Sequence, residues 1–462
     1  AGAAGPAAWD VAILGGRVMD PETGLDAVRN VGIRAGRIGV ITRTPLRGRV
    51  AIDARGMVVA PGFVDLHAHG QDLENNRLQA LDGVTSAIDM EGGTADLDRW
   101  LSEWAGRRIL HYGTSASHGA VRREVMPHGD DSERRAATEA ELAAIRLAIA
   151  RELAKGSLGV GMGLEYVPAV SRWEVLEVFR EAARHGAPVH VHMRYGSLRE
   201  PGSAMEALEE VIAACAVTGT AAQVVHVPSM GLRETPRLLR LIADARRRGL
   251  DITGECYPYT AFATGIASAV FDPGWQERFG IGYGDLQWAA TGERLTAEAF
   301  ARHQREGGTV IAHAIPESAV RAAVAEPGVI IASDGGLRNG KGHPRGAGTF
   351  ARVLGRYVRQ ERRLTLMAAL RKMALLPARR LEARTPALRR KGRLRPGADA
   401  DIVVFDPGAV IDRATFDRPA APSVGFQWVL VGGVPVVARG ALVEAARPGR
   451  PIVAPSAGRP AR

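Results

Sequence analysis

Hydrophobic and polar positions along this chain fall into three successive regimes. From Asp10 to Val59 short β-rich runs alternate with turns: Val11-Ala-Ile-Leu14, Gly15-Gly-Arg-Val18, Val31-Gly-Ile-Arg34, Arg37-Ile-Gly-Val-Ile41 and Ala51-Ile-Asp53. Gly15-Gly16, Pro21-Glu-Thr-Gly24 and Ala35-Gly36 supply turns between them, so this spacing predicts a small antiparallel sheet. Between about Ala60 and Ala378 short apolar runs are followed by helical stretches. Candidate strands end at His67, Met90, Met162, His192, His226, Tyr257, His313 and Asp334. Helical periodicity covers Ser132 to Lys155, Trp173 to His185, Ala204 to Thr218, Glu234 to Arg248 and Leu364 to Ala378. Repeated strand and helix predict a parallel sheet buried by helices, and the length suits a closed eight-stranded TIM-like (β/α)8 barrel. The stretch from Thr264 to His303 fits the repeat poorly and reads as a loop or lid.

After Gly392 the pattern is β-rich again, in Gly397-Ala-Asp-Ala-Asp-Ile-Val-Val-Phe405, Gln427-Trp-Val-Leu-Val431 and Val434-Pro-Val-Val437. Either end alone would leave a half-finished sheet with exposed edges, so the two ends are expected to pair into one small discontinuous β-sandwich domain. The expected division is residues 1–60 for the first part of the sandwich, 61–378 for the barrel, and 379–462 for the second part and a tail.

Composition narrows the class without naming a function. The chain has 462 residues, 46% of them hydrophobic, enough to bury a large core. Its formal net charge of +10 is dispersed in short clusters such as Arg246-Arg247-Arg248 and Arg389-Arg390-Lys391. A nucleic-acid binder concentrates charge on one face and interleaves it with aromatics, so no nucleic-acid partner is expected. Cys215 and Cys256 are the two cysteines, too few for a disulfide framework. No run reaches the roughly 18 to 20 apolar residues that span a bilayer, so no membrane partner is expected. The start, Ala1 to Ala8, reads as a cloning remnant or as the end left by a removed signal peptide. The expected location is the cytoplasm, with export left open, as is homo-oligomerisation.

The chemistry is concentrated at predicted strand ends. In Pro61-Gly-Phe-Val-Asp-Leu-His-Ala-His69 two histidines stand at i and i+2, so in a strand both imidazoles face one side and can reach a single ion. His192, His226 and Asp334 each close a further β-branched run, at the rim where barrel enzymes build their sites. Together these residues point to a metal site. Imidazole and carboxylate ligands suit zinc and similar divalent ions. His190 shares a strand face with His192 and reads as a structural histidine. Cys256 reads as a packed thiol rather than a nucleophile.

These motifs, together with Asp82-Gly-Val-Thr85, Gly163-Leu-Glu-Tyr-Val-Pro168, His192-Met-Arg194, Tyr257-Pro-Tyr259, Ser333-Asp-Gly335, His343-Pro-Arg345 and Gly348-Thr-Phe350, resemble the amidohydrolase superfamily, and within it the D-aminoacylase (N-acyl-D-amino-acid deacylase) group. The resemblance covers nearly the whole chain. It implies a TIM-like barrel, a sandwich formed from both chain ends, and hydrolysis of a linear amide in a small-molecule N-acyl substrate by metal-activated water. It further implies one metal position at His67 and His69, with Asp334 as ligand or catalytic proton shuttle, and a second at His192 and His226. One or two divalent ions are expected, zinc first among them.

Two departures from the group stand out. Its members place a Cys after Gly-Val-Thr, whereas this chain reads Ser86-Ala-Ile-Asp-Met-Glu-Gly-Gly93; Glu91 is expected to replace the thiolate as a metal ligand, bridging two ions and favouring harder ones. The group also places a Lys two residues after the His that matches His226, where it binds the substrate carboxylate, and here that position is Pro228. Tyr257 and Arg345 remain as the expected carboxylate contacts, and Arg can hold a carboxylate bidentately. Tyr195, which replaces an acidic residue of the group, and Glu165 are further candidates to line the substrate pocket. The rival readings are a cyclic amide or imide hydrolase, a D-residue dipeptide hydrolase, and a binding protein that kept the barrel without catalysis.

Overall fold

Eight short runs lie side by side as one parallel sheet: β1 (Phe63–Asp65), β2 (Val84–Thr94), β3 (His111–Ser117), β4 (Val160–Gly163), β5 (Val189–His192), β6 (Ala222–Val224), β7 (Ile252–Cys256) and β8 (Val329–Ile331), in that spatial order. Most of their residues are buried, as expected when helices cover one face and side chains fill the other. The chain beyond β1 closes the ring. Ala68 bridges Gly335 beyond β8, Gly70 N–H donates to the Gly335 carbonyl at 2.8 Å, and the Ser333 amide donates to Asp65 at 3.0 Å. The computed structural model describes residues 9–128 and 131–456, so the expectations for Ala1 to Ala8 lie outside the described residues. Its core is a TIM-like (β/α)8 barrel.

The eighth strand is not the one periodicity suggests. The run ending at His313, Thr309–Ala312, pairs antiparallel with Phe262–Gly265 and Leu286–Trp288 in a separate three-stranded sheet, inserted between β7 and β8. The missing barrel strand is β3. Its sequence, His-Tyr-Gly-Thr-Ser-Ala-Ser, is too polar to read as a buried run, yet all seven residues are buried. The poorly fitting stretch from Thr264 to His303 is an ordered part of the insert with its own aromatic core, in which Trp275 stacks on Phe300 at 5.3 Å and meets Phe271 edge-on. The covering helices follow the periodicity closely. Glu139–Lys155 starts on a Thr138/Glu141 capping box and ends at Gly156, whose φ of 115° suits a residue without Cβ.

Both chain ends form the second sheet. Trp9–Asp20 pairs with Leu25–Arg34, which pairs with Arg37–Thr42, and Ile402–Phe405 lies antiparallel to Val58–Pro61, joining the C-terminal strands Phe426–Val431 and Val434–Ala438 to the N-terminal ones. The sheet is mixed rather than purely antiparallel, because Trp9–Asp20 also runs parallel to Gly48–Asp53 and Val58–Pro61. A bulge between Ile13 and Gly16 bends the long strand. The sheet thereby folds over one core that draws Val11, Ile13, Val31 and Ile52 from one end of the chain and Ile402, Val404 and Leu430 from the other. The tail then leaves this sheet and returns to the barrel, where the Ile452 amide donates to the Tyr112 carbonyl of β3 at 2.7 Å. Among the described residues no helix is long and apolar enough to cross a membrane.

Candidate active site

The candidate residues gather at the C-terminal ends of the barrel strands. His67 and His69 follow β1, Glu91 lies in β2, His192 ends β5, His226 follows β6, and Asp334 follows β8. His67 Nε2 and His69 Nε2 are 3.0 Å apart, and Asp334 Oδ1 is 3.4 and 3.3 Å from them. Beside them, His226 Nε2 and His192 Nδ1 are 3.1 Å apart. His226 and Asp334 hold left-handed backbone, with φ of 31° and 52°, a conformation side chains seldom adopt.

Each imidazole is fixed through the nitrogen that faces away from this centre. His67 Nδ1 donates to Glu255, whose other oxygen accepts from the Gln223 amide, and Gln223 in turn accepts from Thr253 at 3.1 Å. His69 Nδ1 lies 3.4 Å from Asp89. His192 Nε2 donates to Glu165 at 3.0 Å. His226 Nδ1 donates to Ser229 Oγ at 2.8 Å, since that hydroxyl already gives its proton to the His226 carbonyl. Such partners hold the outward nitrogens and turn the other four, His67 Nε2, His69 Nε2, His192 Nδ1 and His226 Nε2, toward the shared space.

Glu91 stands between the two pairs. Its Oε2 is 3.8 and 3.5 Å from His67 Nε2 and His69 Nε2, while its Oε1 is 3.8 Å from His192 Nδ1. The local fold is built to bring it there. Between Asp89 and Thr94 β2 bulges against β3, and the bulge holds Met90 to Gly93 off the ladder. Opposite it, β4 offers Gly161, where a Cβ would sit 2.1 Å from the Glu91 carbonyl, and Gly163, where one would sit 3.2 Å from Glu91 Oε1. A turn-exposed role for Glu91 does not fit this position.

The charge balance favours a cation. Burial opposes a charged ring at His67, yet the Asp334 and Glu255 carboxylates outweigh it and raise its pKa to about 9. Burial and the neighbouring His192 hold His226 neutral, with its pKa well below the ordinary value. The donor set therefore fits divalent metal on an observation of its own: His67, His69 and Glu91 offer ligand atoms all within 4.8 Å of one another, in a site otherwise short of positive charge.

On the far side of Asp334 lie the Arg345 guanidinium and the Tyr257 hydroxyl. Arg345 Nη1 is 2.9 Å from Asp334 Oδ2, out of line for a hydrogen bond, and Arg345 Nε also lacks a partner although the side chain is only 5% exposed. Arg345 stacks on the Tyr257 ring at 4.6 Å, and the Tyr257 hydroxyl is buried without a partner as well. Buried polar groups are normally satisfied, so Arg345 Nε and the Tyr257 hydroxyl, beside the ion-paired Nη1, mark a place for an anionic ligand. Burial would raise the Asp334 carboxyl, but Arg345 and His67 override it and hold it well below the usual range.

A narrow cleft opens over these groups, lined by Glu165, Tyr166, His192, His226, Ser229, Tyr257, Asp334 and an apolar wall. Tyr257 and Glu165 thus line the cleft, but Glu165 is committed to His192. Tyr195 is half-buried, packed near Gly202, and absent from the lining, because the chain turns away at Gly196. Pro228 opens the one-turn helix Val227–Gly231, where its missing N–H costs nothing, and this turn brings Ser229 under His226. His190 is buried with both nitrogens unpartnered and its pKa well below normal through burial, a neutral ring inside the barrel. Burial pushes the Cys256 thiol up to about 12, as suits a packed residue.

Sequence reasoning overlooks Asp65, Asp89, Gln223, Glu255 and Ser229. The signal for two of them is period 2: Asp65 precedes His67 and His69 on one strand face, and Glu255 precedes Tyr257.

Comparison with known proteins shows the family of the chain. The model of the amidohydrolase family matches residues 50–107 and 102–437. N-acyl-D-glutamate deacylase of Alcaligenes xylosoxydans xylosoxydans is 31% identical over 479 residues, covering 92% of this chain and 93% of the relative. The crystal structure of N-acyl-D-glutamate deacylase from Bordetella bronchiseptica, complexed with zinc and a phosphonate inhibitor that mimics the tetrahedral intermediate, superposes with a TM-score of 0.83 at 28% identity, covering 97% of this chain and 100% of the other. A D-aminoacylase structure solved to define the role of its binuclear metal centre has a TM-score of 0.83 at 25% identity, with the same coverage.

Proposed function

The chain belongs to the amidohydrolase family and is a metal-dependent enzyme acting on amide bonds, and on that premise we propose that its substrates are N-acyl-D-amino acids. The carrying observation is the buried Arg345 guanidinium, ion-paired to Asp334 through Nη1 and with Nε free of any hydrogen bond, stacked on Tyr257, whose hydroxyl also makes none. An N-acyl amino acid presents a carboxylate two bonds from its amide nitrogen, which suits an anion site next to a hydrolytic centre.

In this reading His67, His69, Glu91 and Asp334 would hold an ion, and His192 and His226, with Glu91 beside them, would hold a second where two are bound. The metal, when bound, supplies Lewis acidity toward the amide carbonyl and makes a water acidic enough to attack it. The protein supplies the rest. Asp334 accepts the proton from the attacking water at Oδ1 and returns it to the leaving nitrogen, so that the amide C–N bond breaks into a carboxylic acid and a free amino acid. Arg345 and Tyr257 orient the substrate through its carboxylate, and burial keeps the Tyr257 phenol protonated as a donor. Glu165, Ser229, Glu255 and Asp89 keep the four histidines in the tautomers required.

The test is a panel of N-acetyl-D- and N-acetyl-L-amino acids, N-acetyl-D-amino acid amides and cyclic imides. Hydrolysis of the free D-acids, with the amides at least about 100-fold slower for want of the charge-assisted contact, is expected. Faster turnover of the imides would establish the cyclic-amide reading instead.

A further inference from the structure

At the end of the barrel opposite the catalytic cleft, a second cavity, of about 450 Å³, opens beneath β5 to β8. Pro188, Ala221, Asp251 and Gly328, each the residue just before one of those strands, border it. Its lining carries five arginines: Arg371, Arg379, Arg380 and Arg384 from one segment, and Arg246 from the end of the helix Thr235–Arg247. Among the described residues Asp251 is the one acidic member of that lining, and it is already engaged. Arg380, whose side chain is 5% exposed, donates to it through Nη1 at 2.6 Å and Nη2 at 2.9 Å, while its buried Nε has no partner. Arg379 lies 3.6 Å from Glu22. Among the described residues no carboxylate forms an ion pair with Arg246, Arg371 or Arg384. Arg384 donates instead to the Leu153 and His185 carbonyls at 2.5 and 2.9 Å, and burial lowers its pKa with no opposite charge to counter that. Arg246 fits against Gly328, where a Cβ would collide with its Nη1.

From this arrangement we propose that the cavity is a second anion site, remote from the metal centre, that takes a compact phosphate dianion. Three guanidinium groups without a counter-ion repel one another around one concavity, and a bound dianion replaces that repulsion by attraction. Guanidinium forks match phosphate oxygens two at a time, which a lysine-lined site would not do. Arg380 is held in place by Asp251 and still has Nε unsatisfied, so one donor of the site is fixed before any ligand arrives. The volume falls within the roughly 300 to 1,000 Å³ of small-ligand pockets, large enough for a phosphate ester as well as for the free ion. The site is independent of which amide the enzyme hydrolyses.

Isothermal titration calorimetry of the metal-loaded enzyme at low ionic strength, with inorganic phosphate and with glycerophosphate, tests this. A dissociation constant below about 1 mM is expected for at least one probe. Tighter binding of glycerophosphate identifies a phosphorylated small molecule as the occupant, and tighter binding of phosphate the free ion. The double variant Arg246→Gln/Arg371→Gln, at two exposed positions, should weaken binding at least about tenfold and leave kcat for amide hydrolysis unchanged. Arg247→Gln/Arg248→Gln removes as much charge beside the cavity but none from its lining, and should leave binding as it is. Equal losses in the two double variants would reduce the effect to net charge and overturn the site. Binding that survives Arg246→Gln/Arg371→Gln but is lost in Arg345→Gln would place the anion in the catalytic cleft and overturn it too, as would a dissociation constant above about 1 mM for both probes.

Discussion

The floor of the cleft is carried by β1, β2, β5, β6 and the turn after β8, whereas its apolar wall comes largely from Phe262 to Phe279, in the insert between β7 and β8. On the floor each histidine is held at both ring nitrogens. Each histidine has one nitrogen on a fixed partner and the other on the shared centre, and Glu91 sits in a bulge that the glycines of β4 make room for. On the wall, side chains are held by aromatic packing alone, without directional bonds apart from Tyr166 to Thr264. Directional anchoring fixes atoms to the tolerance a metal and a proton transfer need, while packing fixes only a shape. The floor should therefore fail sharply when one residue changes, and the wall gradually.

Asp334→Asn is the sharpest break. It keeps the side-chain volume and one ligand oxygen but removes the proton acceptor, so kcat should fall by about 10³-fold, within the range general acid–base groups supply. Metal content by elemental analysis should stay near wild type. Near-normal turnover would take Asp334 out of the proton path.

Glu91→Gln comes next. The amide cannot offer two anionic oxygens to the two histidine pairs, so bound metal per chain should fall and the affinity of the weaker ion should drop by about 100-fold, followed by metal titration of chelator-stripped protein. Gly161→Ala reaches the same place from outside, because a Cβ there would collide with the Glu91 carbonyl and tilt the bulge. If both variants bind metal as tightly as wild type, Glu91 is not a ligand and the floor does not depend on its carboxylate.

A smaller loss is expected at the outer layer. Glu255→Gln still accepts from His67 but without charge, and metal affinity should weaken by about tenfold, the lower end for such partners. The effect should appear in metal dissociation rather than in kcat at saturating metal.

The floor and the wall also differ in how far the amino-acid sequence reveals them. A histidine at the end of a β-branched run is conspicuous, because period 2 puts His67 and His69 on one face and the barrel puts strand ends together. His192, His226 and Asp334 are legible for the same reason. Glu91 needs more, since a three-residue bulge decides where it points and no periodicity encodes a bulge; what identifies it is a carboxylate where a thiolate is expected. β3 is hidden because its buried face is polar, with Thr114 and Ser115 at 1% and 0% exposure. The wall is invisible in the same sense. Phe262, Val270 and Phe279 belong to an antiparallel insert that interrupts the repeat, and their convergence with Met230 of another element is a tertiary fact.

Phe279→Leu probes the gradual side of the comparison. Phe279 ends the short helix Trp275–Phe279 and is 4% exposed, packed against Phe262. Leucine is smaller but still apolar, and a partial truncation of a buried side chain costs about 1–2 kcal/mol, or about five- to thirtyfold in a binding constant. The change should raise KM for N-acetyl-D-phenylalanine by about tenfold, shift preference toward bulkier side chains, and leave kcat and metal content alone, because no bond of the floor passes through Phe279. A matching fall in metal affinity would mean that the wall helps hold the histidines, and the two regions would then have to be treated as one.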